Sequence, residues 1–275
     1  MSTALKKDTR LLLMLLPAAV FFLAFFLLPM LRLFVIGGQG AQGWLAYLAI
    51  FTDAGYRGAL FATLGVSLAT TAATLAISGI CGVFLQRREF PGKSALVALM
   101  TLPLAFPGVV VGFMVIMLAG RQGLIGDLSQ LLGGPRIVFA YSLLGLFMGY
   151  VYFSIPRTTL TVMAATEKLD PKLEEAARSL GASPWRVIRD IIVPGLKPAF
   201  ISAGAICFAT AVGAFGTAFT LAARIDVLPM VIYTEFTLSA NIAMAAALSF
   251  VLGAVTWLAL ALARTAAGSS VAAAG

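Results

Sequence analysis

Long apolar runs alternate along this chain with short segments that are polar, charged or rich in Pro and Gly. A helix that crosses a lipid bilayer needs about 20 mainly apolar residues. Six runs reach that length, and they predict six membrane-spanning helices with both chain ends on the same side. The predicted bounds of these spans are 11–36, 59–84, 94–118, 137–162, 198–222 and 242–263.

The composition favours an integral membrane protein. Of the 275 residues, 61% are hydrophobic and only 11% are charged, whereas soluble domains carry about 25% charged residues. We therefore predict one all-α transmembrane domain over 1–275. The first apolar run is longer than the h-region of a signal peptide, which spans about 7–15 residues, so we expect a retained helix.

The basic residues predict the orientation in the membrane. The net charge is +8, but the Lys and Arg residues are spread over the loops and do not form the single patch expected of a nucleic-acid-binding face. Fourteen of the 19 lie on the side of the N terminus. The positive-inside rule then places both termini and the loop 164–197 in the cytoplasm.

Two features inside the spans are candidates for a transport pathway. Pro103 and Pro107 interrupt the third span and predict a kink or break there, which either lines a pathway or is purely structural. Phe215 and Thr217 lie in the run AVGAFGTAF at 211–219, whose small residues suit a gate or ordinary helix packing.

Glycine pairs at four-residue spacing are typical of close contacts between membrane helices. The chain has two such pairs within the spans, Gly108 with Gly112 and Gly145 with Gly149. A small residue at both positions lets two helix backbones approach closely in lipid. We therefore expect both pairs to lie at helix contacts.

The loop 164–197 contains the signals of two short helices. Asp170-Pro171 is a helix start, followed at helical spacing by Leu173, Ala176, Ala177 and Leu180, and Gly181 suits a left-handed C-terminal cap. The flanks of that helix hold Glu174, Glu175 and Arg178. Ser183-Pro184 repeats the start signal for a second helix, which we expect Pro194 to end. Its apolar side holds Trp185, Ile188, Ile191 and Ile192.

An apolar stripe on a polar loop has to be covered by something. The stripe either packs on the inner face of the protein itself or docks into a groove on a partner protein. The residues alone leave both possibilities open.

The spacing within this loop resembles a known motif. Glu175-Ala176-Ala177 is followed after three residues by Gly181, after nine more by Ile191, and then by Val193-Pro194. This resembles the EAA loop of permease subunits of binding-protein-dependent ABC importers, with Val193 where the family pattern has Leu. The segments ALFATLGVSLATT, LPLAFPGVVVG and YFSIPRTTLTVMAA are also similar to these permeases, and the similarity extends over about 55–260.

The resemblance implies a fold, partners and site residues. It implies the type I ABC importer permease fold in a bacterial inner membrane, a loop that docks on a cytoplasmic ABC ATPase dimer, a second permease subunit of the same or another kind, and a periplasmic solute-binding protein. Among such permeases, the sequence most resembles those for polyamines and aminoethylphosphonate. The implied coupling residues are Glu174, Glu175, Ala176, Ala177, Arg178, Leu180, Gly181, Ser183 and Trp185, and the candidate pathway residues are Pro103, Pro107, Phe215 and Thr217.

We do not expect this chain to be an enzyme. The segment PGKS at 91–94 ends like a P-loop, but position 87 is Arg where a P-loop needs Gly. We therefore interpret Arg87 and its neighbours as topology charges, and expect the partner ATPase to bind ATP and Mg. With no His and with Cys81 and Cys207 in separate apolar runs, no metal site or cofactor is predicted for this chain.

Two other classes of membrane protein are the alternatives. An ion-coupled secondary transporter usually places ionisable residues within its spans, and the middles of these spans contain no Asp, Glu or Lys. A membrane assembly protein without a transport pathway is the other alternative. It would be isolated without an ATPase or a binding protein.

Overall fold

The computed structural model describes residues 14–221 and 225–267, which are helical with no β-strand in those ranges. We label the helices in chain order. They are α1 (Met14–Gly37), α2 (Ala46–Thr52), α3 (Ala54–Arg87), α4 (Lys93–Thr101), α5 (Gly108–Ala119), α6 (Leu124–Leu131), α7 (Leu143–Glu167), α8 (Pro171–Ser179), α9 (Pro184–Val212), α10 (Phe215–Leu221), α11 (Leu228–Thr237) and α12 (Ile242–Ala267). Helix α9 contains a π-helical turn at Ile188–Ile192, and α1 contains another at Leu23–Leu27.

Five stretches of the described chain are long and apolar enough to cross a membrane. They are Met14–Gly37, Ala54–Arg87, Gly108–Leu131, Pro184–Val212 and Ile242–Thr265. The fourth predicted span, 137–162, corresponds to the 25-residue α7, which is not among the five. Helix α7 carries Arg157 and several Thr residues, which lower its mean hydropathy. The count of six spans therefore stays a prediction.

The third predicted span, 94–118, is two helices. Helix α4 ends at Thr101, a 3₁₀ turn covers Leu102–Ala105, and Phe106 is extended. Pro107 then precedes α5 with φ −60° and ψ 149°, an extended conformation. The break predicted from Pro103 and Pro107 is confirmed, because a proline cannot donate to the preceding turn.

The chain divides into two compact units, and the smaller comprises 1–57 and 231–254. Within it, the Phe34 ring lies 4.9 Å from that of Phe250 and 5.2 Å from that of Tyr47, between ring centroids. The Tyr56 hydroxyl donates to Glu235 Oε1 at 2.9 Å. The single domain predicted for 1–275 is not tested by this division.

The larger unit comprises 58–230 and 255–275, and its tightest helix contact joins α5 to α10. A Cβ built on Gly108 would lie 3.1 Å from Thr217 Oγ1, and one built on Gly149 would lie 2.9 Å from Thr217 Cγ2. Gly112 faces Thr220, and Gly145 faces the backbone of Ala140. The predicted helix contact is therefore confirmed for Gly108, Gly112 and Gly149, whereas Gly145 packs against the turn that precedes its own helix.

Helices α3 and α7 run parallel in this unit, because the residue numbers at their contacts rise together. Thr159 Oγ1 lies 3.1 Å from Ser78 Oγ, and Gly82 lies against Val162. One turn further, Arg87 at the end of α3 reaches Leu169, just beyond α7. Both helices therefore end beside the loop 164–197.

Candidate functional site

The loop 164–197 is held in place by a small apolar core. Val162 of α7 packs with Val187, Ile192 and Leu196 of α9, each at most 7% exposed. Partly buried apolar residues surround this core, among them Val83, Ala165, Leu169, Ala177 and Phe200. The loop is therefore an ordered part of the larger unit and not a flexible linker.

Helix α8 begins and ends where the sequence predicts. The Asp170 side chain accepts a hydrogen bond from the backbone N–H of Lys172 at 2.9 Å, and Pro171 occupies the first helical position. Gly181 follows the last turn with φ +82°, the left-handed conformation that favours glycine. The backbone N–H of Ala182 then donates to the carbonyl of Ala177 at 3.0 Å, which satisfies an otherwise orphaned carbonyl.

The predicted start of the second helix is confirmed, but its predicted end is wrong. Ser183 Oγ accepts from the backbone N–H of Arg186 at 3.4 Å. Pro194 does not end the helix, which continues to Val212. The π-helical turn Ile188–Ile192 lies directly before Pro194, and the extra residue in that turn accommodates a proline that has no N–H to donate.

The apolar residues of the loop divide between two surfaces. Val187 and Ile192 are buried in the core of the unit, whereas Leu173 is 52%, Trp185 68% and Leu180 89% exposed. Packing on the protein's own inner face is therefore confirmed for part of the apolar stripe, and docking of the rest on a partner stays a prediction. Some of it covers the protein's own inner face, and we call the remainder, Leu173, Leu180 and Trp185, the exposed apolar surface of the loop.

Glu174, which the sequence places on a flank of α8, is buried in an ion pair. Glu174 is 8% exposed, and its Oε1 lies 2.9 Å from Arg87 Nη2. The same Nη2 donates to the carbonyl of Leu169 at 2.8 Å. Arg178, one turn along α8, lies 3.8 Å from Glu174 Oε2 and is mostly exposed. Arg87 is therefore more than a topology charge, since it joins the end of α3 to α8.

Sequence reasoning missed this pairing for a clear reason. The i,i+4 relation of Glu174 to Arg178 is visible in the chain, but Arg87 lies far from both in sequence. Only the parallel packing of α3 and α7 brings Arg87 to the loop.

The other predicted coupling residues lie on the same segment, and apart from the partly buried Ala177 they are exposed: Glu175, Ala176, Arg178, Leu180, Gly181, Ser183 and Trp185. Their role in coupling stays a prediction.

The candidate pathway residues do not form one site. Pro103 lines an open cleft of about 350 Å³ together with Tyr152 and Pro156. Thr217 is 4% exposed, and its hydroxyl donates to the carbonyl of Gly108 at 2.9 Å, next to Pro107. The Phe215 ring lies 5.4 Å from that of Phe219. The contacts of Thr217 favour helix packing over a gate, and a place on the pathway stays a prediction for all four.

No group of three or more Cys, Asp or Glu side chains that could hold a metal ion occurs within 14–221 and 225–267. Cys81 and Cys207 are free thiols. The loop thus presents an exposed apolar surface on an ordered support, and the Arg87–Glu174 ion pair links it to a long apolar helix.

A family described as "Binding-protein-dependent transport system inner membrane component" matches residues 75–267. The molybdenum transport system permease protein ModB of Escherichia coli is 34% identical over 193 residues, which are 67% of this chain and 81% of ModB. The sulfate transport system permease protein CysT of Escherichia coli is 31% identical over 204 residues, 72% of this chain and 71% of CysT.

A third relative and a solved structure agree with these matches. The putative 2-aminoethylphosphonate transport system permease protein PhnU of Salmonella typhimurium is 27% identical over 219 residues, 78% of this chain and 77% of PhnU. A crystal structure of a bacterial alginate ABC transporter, in complex with an alginate pentasaccharide-bound periplasmic protein, contains a chain of the same fold. It superposes with a TM-score of 0.80 at 20% identity, covering 98% of both chains. This multi-pass membrane protein therefore belongs to the binding-protein-dependent transport system inner membrane components, the permease subunits of ABC importers.

Proposed function

We propose that this permease is driven by a cytoplasmic ABC ATPase that docks on the exposed apolar surface of the loop 164–197. The observation that carries the proposal is the exposure of Leu173, Leu180 and Trp185 on a loop held rigid by its own core. Leu173 and Leu180 lie outside the five apolar stretches, and large apolar side chains so exposed to water are unfavourable unless a partner covers them. A short helix with such a surface fits the helix-in-groove mode of recognition.

The buried contacts behind α8 supply a route for the movement. When the ATPase subunits bind ATP and close, α8 moves with the groove that holds it. The Arg87–Glu174 contact and the core around Val187 transmit this movement to α3, α7 and α9. Rigid rocking of these helices then exposes the transport pathway to one side of the membrane or the other.

The partners and the orientation follow from the same proposal. A second permease subunit, identical or different, completes the pathway, and a periplasmic solute-binding protein delivers the solute. Both termini and the loop lie in the cytoplasm, which accords with the excess of basic residues on that side, 13 of the 19 even when Arg157 within α7 is left out. The chain itself is non-catalytic in this scheme, and the ATPase binds ATP and Mg.

The solute is a small anion in this proposal. Relatives are named for sulfate and for 2-aminoethylphosphonate, and a transporter of the same fold imports alginate, an acidic polysaccharide. These solutes share acidic oxygen-containing groups. The resemblance to polyamine and aminoethylphosphonate permeases suggested two solutes. We therefore favour aminoethylphosphonate over a polyamine, which is cationic.

The test of coupling is Leu180→Ser in the assembled transporter. Leu180 is 89% exposed, so the substitution should leave folding unchanged while weakening the contact with the ATPase. We expect ATP-dependent uptake and co-purification of the ATPase to fall together. The matched control is Leu131→Ser, because Leu131 is 82% exposed on α6, on the predicted periplasmic side. Normal ATPase capture by the Leu180→Ser transporter would contradict the proposal.

A further inference from the structure

A small cavity lies between α7 and α9, separate from the loop. It measures about 40 Å³ and is partly open. A single water needs about 10–15 Å³ by the same measure, so the cavity has room for about three water-sized groups. Helix α7 contributes Ser154, Arg157 and Thr158 to its lining, and α9 contributes Cys207 and Thr210.

Hydrogen-bond donors without partners line this cavity. Ser154 and Thr158 are 8% and 3% exposed, and neither hydroxyl has a hydrogen-bond partner among the residues that the structure describes. The guanidinium of Arg157 likewise has neither an ion pair nor a hydrogen bond within that part of the chain. Arg157 itself is exposed, and the two hydroxyls belong to residues that line the partly open cavity, so all three donors are accessible to a ligand or to water.

The position of Arg157 well inside α7 also favours a bound ligand. It lies ten residues before the end of the 25-residue α7, which is about 15 Å at the rise of an α-helix. The facing helix α9 is one of the candidate membrane spans. A charged residue within a membrane helix is costly and is usually retained for function.

The donors define the chemistry of the ligand. Arg offers five N–H groups in a planar fork that suits the oxygens of a sulfate, phosphonate or carboxylate. No Asp or Glu lines the cavity, so the guanidinium lacks a protein counterion there. A cavity of this size accepts one oxyanion group and excludes a larger solute body.

We propose that Arg157, with the hydroxyls of Ser154 and Thr158, forms a binding subsite for a single oxyanion group on the transport route. The inference rests on the proposed import of an anionic solute and deepens it. The oxyanion group of the solute binds to the guanidinium while the rest of the solute extends through the open side of the cavity. A phospholipid phosphate shares this chemistry, and the experiment below separates the two sources.

The test uses the thiol of Cys207, which lines the same cavity. In the complete transporter with Cys81→Ala, modification of Cys207 is timed with an anionic methanethiosulfonate reagent, the 2-sulfonatoethyl compound, and with its cationic trimethylammonium counterpart. Each rate is divided by the rate of the same reagent with free 2-mercaptoethanol, because a thiolate anion intrinsically reacts faster with the cationic reagent. We expect the normalised rate to be about tenfold higher for the anionic reagent, since one nearby charge alters each reagent's local concentration by about threefold in opposite directions. Because Cys207 is 5% exposed, a second reporter, Thr210→Cys with Cys207→Ala, repeats the measurement.

Three variants and one competitor complete the design. Arg157→Gln should abolish the preference for the anionic reagent, and Arg157→Lys should retain it. Lys197→Gln removes a cation of α9 that does not line the cavity, and it should leave the preference unchanged. Millimolar sulfate should slow the anionic reagent in every transporter that keeps a cation at position 157 and should have no effect in Arg157→Gln. The measurements are made on the transporter reconstituted in lipid vesicles. Protection by sulfate should be the same whether these vesicles contain phosphatidylcholine alone or also phosphatidylglycerol.

The outcomes are distinct. Equal normalised rates for the two reagents, or a preference that survives Arg157→Gln, overturn the subsite. Protection that requires phosphatidylglycerol and ignores sulfate assigns the cavity to a lipid and also overturns it. Uptake of labelled sulfate or 2-aminoethylphosphonate that is unchanged in Arg157→Gln overturns its place on the transport route. The labelling needs neither ATP nor a docked ATPase, so its failure is distinct from a failure of the proposed coupling.

Discussion

Breaking the contact between Arg87 and Glu174 should loosen α8 while leaving the rest of the chain folded. The Arg87 Nη2 and Glu174 Oε1 atoms are 2.9 Å apart, and the two side chains are 21% and 10% exposed. Opposite charges about 4 Å apart interact by about 4 kcal/mol at an effective dielectric of 20. Removing one partner of a fully buried pair costs about 3–5 kcal/mol, because the other charge is left desolvated and unpaired.

The expected cost for this pair is somewhat smaller. The contact has the distance of an ion pair without the alignment of a hydrogen bond, and the Arg87 Nε is buried with no hydrogen-bond partner in the described residues. Partial exposure of Arg87 lets water recover some solvation. We therefore expect Arg87→Gln or Glu174→Gln to destabilise the closed loop by about 2–3 kcal/mol. Amide exchange in α8 should then accelerate about 30- to 140-fold.

The assay is amide hydrogen exchange of residues 172–182 in the purified transporter, followed by mass spectrometry. Arg178→Gln is the matched control, because Arg178 also approaches Glu174 but at 3.8 Å and with 64% of its side chain exposed. An exposed i,i+4 pair contributes about 0.3 kcal/mol, which changes exchange by less than twofold. The double variant Arg87→Gln with Glu174→Gln should cost less than the sum of the two single variants. Equal acceleration in the Arg87 and Arg178 variants would refute the reasoning.

Two glycine substitutions test the packing. Gly181→Ala should destabilise the loop by about 1–2 kcal/mol through its φ of +82° alone, because nothing lies within 4 Å of the added Cβ, and the same exchange measurement reads this out. Gly112→Ala should lower the thermal stability of the purified transporter, since its Cβ would overlap the Thr220 hydroxyl. Gly65→Ala meets nothing within 4 Å inside α3 and should leave the stability unchanged or raise it slightly. A Gly112→Ala transporter that melts with the unchanged protein would contradict the packing of α5 on α10.

Local signals in the sequence predicted most of the loop. Asp170-Pro171 and Ser183-Pro184 begin helices where expected, and Gly181 adopts the left-handed cap. The break at Pro103 and Pro107 was also predictable. Each of these features depends on a side chain acting within about one helical turn of its own position, so the neighbouring residues contain all the information.

Long-range contacts decided the rest. Glu174 looked like a solvated flank residue, and only the parallel approach of α3 to α7 brought Arg87 beside it and made its burial tolerable. The same separation hid the cavity, because Arg157 on α7 and Cys207 on α9 share a lining only after the two helices pack. Apolar periodicity and helix capping were thus determined by the sequence itself. Which charges are buried, paired or left free was decided by tertiary structure, since desolvation depends on neighbours that are distant along the chain.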